Sequence, residues 1–177
     1  MSQERPIYLD NAATSQVLPE VLDAMQPYFC EKYWNAASGY YQAGREAAEA
    51  LEKGRGQLAA LLHATTEEIY FTSGATESNN WVLNAMLLGH PKTHVVSTAI
   101  EHHAILEPIE FLRKIGGIEA TLLPVDEQGL VDPEALRQAI RPETGLVSIM
   151  HANNEIGTLE PIRKLATIAR EAGVPFH

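Results

Sequence analysis

The chain has 177 residues, of which 45% are hydrophobic and 20% are charged, a balance typical of a globular domain. Its formal net charge of −10 argues against non-specific binding to nucleic acid, because phosphates must be neutralised by lysine and arginine. Cys30 is the only cysteine, so no disulfide can form within the chain. Its amino-terminal residues lack a signal-peptide pattern, and no apolar run is long enough to span a bilayer. We therefore expect a cytoplasmic protein that binds neither nucleic acid nor membranes.

The first part of the sequence predicts helices separated by short extended segments. In chain order the predicted elements are an extended segment at residues 7–9, a helix opened by Pro19, a loop at 34–44, a helix over 45–63 and a strand-like apolar run at 69–71. A helical run follows, after small residues at 73–76. Cys30 lies among aromatic residues, a setting in which a lone cysteine is usually a small core residue.

The second part alternates strands with helices. The predicted elements are strand 94–98, helix 103–115, strand 120–125, a helix capped by Asp132, buried strand 146–150, a helix opened by Pro161 and a further strand beginning at 174. This alternation predicts an α/β fold with three α/β/α layers and a mostly parallel sheet. Because the sequence stops where a strand would start, we expect the domain to be incomplete.

The stretch Ser73-Gly74-Ala75-Thr76 joins an apolar run to a helix. A helix that begins at the carboxyl end of a strand presents unpaired backbone N–H groups and the positive end of its dipole, which favour a phosphate. The same residues also suit an ordinary helix start, in which Ser73 or Thr76 is the N-cap and Glu77 lies in the first turn. The local pattern by itself favours the ordinary helix start.

Two further stretches follow predicted strands and carry polar groups. Glu101-His102-His103 offers a base, a ring for stacking, or one capping and one exposed histidine. Adjacent histidines on a helix point in different directions, so we predict no metal site. In the loop at 151–157, Asn153 and Asn154 either donate to a ligand or hold the backbone as Asx turns. Since ligands lie beyond the carboxyl ends of parallel strands, these stretches are expected to converge at one sheet edge.

Four segments together resemble one family. The segments "LDNAAT", "FTSGATESNN", "EHHAI" and "SIMHANNEIG", in this order and separation, resemble the NifS/IscS-type cysteine desulfurases of the class-V aminotransferase family. The resemblance covers essentially the whole chain and implies the amino-terminal half of a fold-type I enzyme. Residues 16–177 would then form an incomplete large domain, and residues 1–15 would join the small domain.

The resemblance implies a site for pyridoxal 5′-phosphate (PLP). The positions that match cofactor-binding residues of the family are Gly74, Ala75, Thr76, His102 and Asn154. In the family the first three hold the phosphate, the histidine stacks on the pyridine ring and is a candidate acid or base, and the asparagine bonds the phenolic oxygen. Asn35 matches a residue near the substrate, although here Ala36 follows it where the family more often has proline.

The resemblance also implies a reaction and partners. Family members convert L-cysteine to L-alanine and pass the sulfur, as an enzyme persulfide, to an acceptor such as an iron–sulfur scaffold protein, and they work as homodimers. The Schiff-base lysine and the nucleophilic cysteine of the family match no residue here, so we expect this chain alone to be inactive and to bind PLP weakly. The alternatives are a non-catalytic paralogue that binds a partner, and a selenocysteine lyase or aminotransferase of the same fold.

Overall fold

The computed structural model describes residues 7–85 and 93–177. They belong to two compact units, Met1–Phe71 and Thr72–His177. The helices and strands in chain order are α1 (Pro19–Cys30), α2 (Gln42–Leu62), a 3-10 turn (Thr66–Glu68), α3 (Ala75–Ala85), β1 (His94–Thr98), α4 (His103–Lys114), β2 (Glu119–Leu123), α5 (Pro133–Ala139), β3 (Thr144–Val147) and α6 (Ile162–Glu171). No helix in the described ranges has both the length and the hydropathy to cross a bilayer. The division predicted at residues 15 and 16 stays a prediction.

The first unit consists of helices, and two predictions for it are wrong. Helix α1 begins at Pro19 as predicted, but none of its residues is buried and Cys30 is exposed rather than part of a core. The apolar run at 69–71 forms no strand, because no strand pairs with it in the described part of the chain. The Ile69 carbonyl instead accepts a hydrogen bond from the Arg55 guanidinium, which also lies 5.1 Å from the centre of the Phe71 ring.

The second unit contains the predicted parallel sheet. Strand β1 lies between β2 and β3 and is parallel to both. Strand β3 starts and ends earlier than predicted, although the Ser148 N–H still donates to the Val96 carbonyl at 2.8 Å. At the predicted last strand the structure shows an isolated parallel bridge, between Phe176 and Val147, rather than a full strand.

Helices cover both faces of this sheet, which confirms the predicted three layers. Successive residues of a strand point to opposite faces, and the core accordingly has two parts. One buried cluster consists of Leu83, Val95, Ile105, Ile109, Leu112, Ile118 and Leu146 and includes side chains from α3 and α4. The other consists of Val96, Leu123, Val131, Leu136, Val147, Ile149, Leu165, Ile168, Ala169 and Val174 and includes side chains from α5 and α6.

A buried histidine joins the three strands at their amino ends. The His94 ring lies 2.8 Å from the Thr144 hydroxyl on β3 and 2.9 Å from the Thr121 hydroxyl on β2. Burial, and then the positive charge of Arg141, lower the pKa of His94. The neutral ring satisfies both contacts with one donor and one acceptor nitrogen. Strand alignment at this edge therefore depends on a histidine that stays uncharged.

Candidate functional site

Two loops meet at the carboxyl edge of the sheet. Residues 99–102 connect β1 to α4, and residues 148–161 connect β3 to α6. A cavity of about 370 Å³ lies at this edge, and the polar side chains in its wall include Glu101, His102, Ser148, His151 and His177. The Ser148 hydroxyl lies 3.0 Å from Nδ1 of His177, whose pKa is lowered by burial. This is the edge at which ligands bind in open parallel sheets.

The start of α3 is capped by a carboxylate. The Ser73 N–H donates to the Glu77 carboxylate at 2.6 Å, and this contact lowers the pKa of Glu77. The first helical hydrogen bond runs from the Ser78 N–H to the Gly74 carbonyl at 3.2 Å. The predicted place of Glu77 in the first turn is confirmed, whereas neither Ser73 nor Thr76 caps with its hydroxyl. The Thr76 carbonyl accepts the Asn80 side-chain amide, and within the described residues no hydrogen bond to the Thr76 hydroxyl is seen, so this hydroxyl is available to a ligand.

A groove between α3 and α4 brings two predicted residues together. Thr76 and His102 both line this cavity of about 670 Å³. Asn80 and Asn84 contribute to the same wall, and their side chains donate to carbonyls one turn earlier, at 2.9 Å and 2.7 Å. Their amides are therefore already occupied within the helix. Thr76 and His102 are the members of the predicted set that share this cavity.

His102 is the N-cap of α4. Its Nδ1 accepts the Ala104 N–H at 3.0 Å, so in a neutral ring the proton lies on Nε2. The neighbouring His103 is exposed, and its ring lies 3.9 Å from the Glu107 carboxylate. The alternative of one capping and one exposed histidine is thus observed. It is compatible with a ligand role, because the His102 side chain is exposed and lines the cavity.

The two asparagines of the loop at 151–157 differ in their contacts. Asn153 is buried, and its Oδ1 accepts the N–H groups of Glu155 and Ile156 at 2.8 Å and 3.0 Å. This confirms an Asx turn at the first asparagine. Asn154 is exposed, and its side-chain amide donates to the Glu155 carboxylate at 3.1 Å. An exposed amide that donates to an exposed carboxylate can exchange that partner for a ligand oxygen.

Asn35, the predicted substrate residue, belongs to the first unit. Its Oδ1 accepts the Ala37 N–H at 2.9 Å and its carbonyl accepts the Ser38 N–H at 3.0 Å. These two bonds form a compact turn before α2. A role toward substrate therefore stays a prediction for Asn35.

Two buried carboxylates at the sheet edge escape sequence analysis. Glu101 is 8% exposed, and burial raises its pKa. Glu160 is 4% exposed, burial raises its pKa as well, and its Oε2 accepts the Val131 N–H at 3.1 Å. No local pattern distinguishes either glutamate from an exposed loop residue, because the groups that bury them come from distant positions. Across the described ranges, no group of three or more histidine, cysteine or acidic side chains is arranged to hold a metal ion.

Comparison with known proteins gives consistent matches along the whole chain. The profile of the class-V aminotransferase family matches residues 7–177. A cysteine desulfurase IscS from Dictyoglomus turgidum is 48% identical over 176 residues, which cover 98% of this chain and 44% of the relative. The solved structure of a NifS-like protein superimposes with a TM-score of 0.91 at 38% identity, over 97% of this chain and 47% of that one. A structure of SspA in complex with cysteine superimposes with a TM-score of 0.88 at 36% identity, over 96% of this chain and 49% of that one. The chain thus spans less than half the length of these relatives.

Proposed function

Because the chain belongs to the class-V aminotransferase family, we propose that it forms part of a PLP-dependent cysteine desulfurase and supplies the cofactor-holding part of the active site. One observation carries the proposal: Thr76, at the start of α3, and His102, at the start of α4, line one cavity. The starts of two helices thereby approach a single space. This arrangement suits a ligand that combines an anionic group with a flat ring.

The start of α3 fits the phosphate of the cofactor. The first backbone N–H groups of a helix have no intrahelical acceptor, and Gly74 and Ala75 place only small side chains before them. The unpartnered Thr76 hydroxyl adds one donor. The Glu77 carboxylate is occupied by the Ser73 N–H, so it caps the preceding turn while the N–H groups of residues 75 and 76 remain for the phosphate.

His102 and Asn154 fit the ring. The His102 imidazole offers a flat face for stacking, and the bond from Ala104 fixes its orientation. The Asn154 amide offers an N–H donor for the phenolic oxygen. When bound, PLP supplies an electron sink for the electrons released at the substrate Cα. The residues of this chain hold and orient that group, and any proton that His102 moves passes through Nε2.

The substrate and partners follow from the relatives. The complex of SspA with cysteine supports L-cysteine as the substrate, and the IscS name of the Dictyoglomus relative supports sulfur delivery to an acceptor protein that builds iron–sulfur clusters. We extend to this chain the homodimer and the cytoplasmic location that the resemblance and composition suggest. Activity requires a lysine and a cysteine of the kind the family uses, so the 177 residues alone are expected to be inactive.

A segment exchange tests this proposal. The 177 residues replace the matching segment of the Dictyoglomus desulfurase, which leaves the rest of that enzyme intact. We expect the chimera to bind PLP and to release alanine from L-cysteine. Thr76→Val removes one hydrogen bond to a charged group, worth about 1.5–3 kcal/mol, and should weaken PLP binding by about 10- to 150-fold. The dissociation constant is measured by visible circular dichroism during a PLP titration.

Gln138→Ala is the matched control, because this side chain is exposed on α5 and does not line the cavity of Thr76 and His102. It should leave the PLP affinity unchanged, whereas His102→Ala should weaken it and change the visible circular dichroism band. A chimera that is folded by far-ultraviolet circular dichroism yet binds no PLP would contradict the proposal. So would a Thr76→Val variant that binds PLP as tightly as the Gln138→Ala variant.

A further inference from the structure

We propose that Glu101 and Asn153 are positioning residues that clasp the two loops of the sheet edge and so fix the spacing between His102 and Asn154. The inference rests on the proposed function, because it assigns these two residues to the same cofactor site. Glu101 directly precedes His102, and Asn153 directly precedes Asn154. Each predicted ligand-facing residue is thus covalently attached to a buried residue that reaches across to the other loop.

Glu101 makes the first half of the clasp. Its Oε1 accepts the Met150 N–H at 2.7 Å, across 49 residues of sequence, and the Thr98 hydroxyl at 3.3 Å. The first contact joins the β1–α4 loop to the β3–α6 loop, and the second ties the carboxylate to the end of its own strand. Because the Met150 N–H and the Thr98 hydroxyl both donate, Oε1 of Glu101 must act as an acceptor. This holds whether or not Oε2 carries a proton.

Asn153 makes the second half, in the opposite direction. Its side-chain Nδ2 donates to the Ile100 carbonyl at 2.9 Å, across 53 residues of sequence. Its Oδ1 accepts two N–H groups of its own loop, from Glu155 and Ile156. One amide therefore holds the turn that presents Asn154 and also anchors that turn to the loop of His102.

The two contacts are reciprocal, so together they constrain the relative position of the two loops more than either contact would alone. A side chain of each loop binds the backbone of the other, at Ile100 and at Met150. The bonded positions are one to four residues from the two predicted ligand-facing residues. Relative sliding of the loops by one residue would break both bonds and leave buried donors and acceptors unpaired, at a cost of about 1–3 kcal/mol each.

Glu101 allows a conservative and a disruptive substitution, and Asn153 allows a disruptive one. Glu101→Gln keeps an acceptor oxygen at the Oε1 position, whereas Glu101→Leu leaves the Met150 N–H without a partner. Asn153→Asp keeps the Oδ1 acceptor but replaces the donor to Ile100 with an oxygen that repels the carbonyl. Glu101→Gln should therefore behave as the parent. The other two substitutions should open the clasp.

The test combines two measurements on two proteins. In the 177-residue chain, hydrogen–deuterium exchange by mass spectrometry follows the segments 99–106 and 148–157, with α5 as the reference. In the chimera, PLP titration by visible circular dichroism gives affinity and the shape of the cofactor band. For Glu101→Leu and Asn153→Asp we expect faster exchange in both loops only, PLP affinity lower by at least about tenfold, and a changed band. For Glu101→Gln we expect none of these changes.

The outcomes separate the clasp from the proposed function. Faster exchange with unchanged PLP affinity and band overturns the positioning role, because the bonds would then be only structural. Unchanged exchange, or faster exchange that extends to α5, overturns the clasp itself. If the parent chimera binds no PLP, the proposed function fails. In that case, faster hydrogen–deuterium exchange confined to the two loops still supports the clasp. If exchange in the loops is not faster, the clasp is overturned as well.

Discussion

Removal of the buried histidine at the amino end of the sheet should destabilise the second unit strongly. His94 is 1% exposed and bonds hydroxyls on both neighbouring strands, at 2.8 Å and 2.9 Å. Each bond contributes about 0.5–1.5 kcal/mol, and a truncated side chain also leaves a cavity beside the unpaired hydroxyls. We therefore expect His94→Ala to lower the free energy of unfolding by about 2–4 kcal/mol.

The same residue should make stability depend on pH. The native-state pKa of His94 is lowered, first by burial and then by Arg141, while Glu119 and Glu143 oppose that shift. The unfolded chain therefore binds the proton more tightly than the native chain. The stability that neutral His94 contributes is fully present above the unfolded-state pKa of about 6.5, and it falls as the pH drops below that value. While the native ring stays neutral, the loss reaches about 1.4 kcal/mol per pH unit.

Urea unfolding at pH 7.5 and at pH 5.5 measures both effects. His94→Gln keeps one donor and one acceptor but cannot titrate, so the fall in stability between the two pH values should be smaller than in the wild type. Gln138→Ala, an exposed substitution that changes no titratable group, should keep the wild-type pH dependence. A His94→Gln variant with the wild-type pH dependence, or a His94→Ala variant that loses less than about 1 kcal/mol, would refute the reasoning.

Two further predictions concern the first unit. A Cβ atom on Gly44 would lie 2.0 Å from the Ser38 carbonyl oxygen, so Gly44→Ala should lower the free energy of unfolding, measured by thermal unfolding, by about 1–3 kcal/mol. Gly54 has open space around its Cβ position, so Gly54→Ala should raise the free energy of unfolding by about 1 kcal/mol. Equal effects of the two substitutions would contradict this. Helix α1 buries no side chain and Phe29 is 65% exposed, so the 177-residue chain should self-associate with rising concentration. Light scattering should show less association for Phe29→Glu than for the control Glu31→Gln, and a wild-type monomer at high concentration would argue against this.

The second unit could be predicted well from the sequence because its elements are locally encoded. Strand β1 reads as apolar and β-branched, Asp132 is the N-cap of α5 as predicted, and Gly116 and Gly173 follow α4 and α6 with positive φ angles. Each of these signals lies within a few residues of the element it defines. The strand predicted at 69–71 failed for the opposite reason, since a strand exists only when another strand offers its backbone.

The sequence predicted where the candidate site lies but not the contacts that support it, and the roles of its residues toward a cofactor stay predictions. The converging loops followed from strand ends, and Thr76 and His102 do line one cavity. Glu101 and Asn153 gain their roles from partners about 50 positions away in sequence, as the bonds to Met150 and Ile100 show. Local sequence patterns do not reveal pairs of residues that are so far apart in sequence. The sequence could suggest that Asn153 forms a turn, but not that it reaches another loop.

The role of His102 as the N-cap of α4 determines which of its ring nitrogens can contact a ligand. The Nδ1 atom is committed to the Ala104 N–H, so only Nε2 and the ring face are available to a ligand. The tautomer with its proton on Nδ1 would lose the cap and set two N–H groups against each other, at a cost of about 0.5–2 kcal/mol for the cap alone. Helix capping therefore favours the neutral tautomer with the proton on Nε2, which can donate to a ligand oxygen. The helix start thus defines which nitrogen of His102 is available to the cofactor in the proposed site.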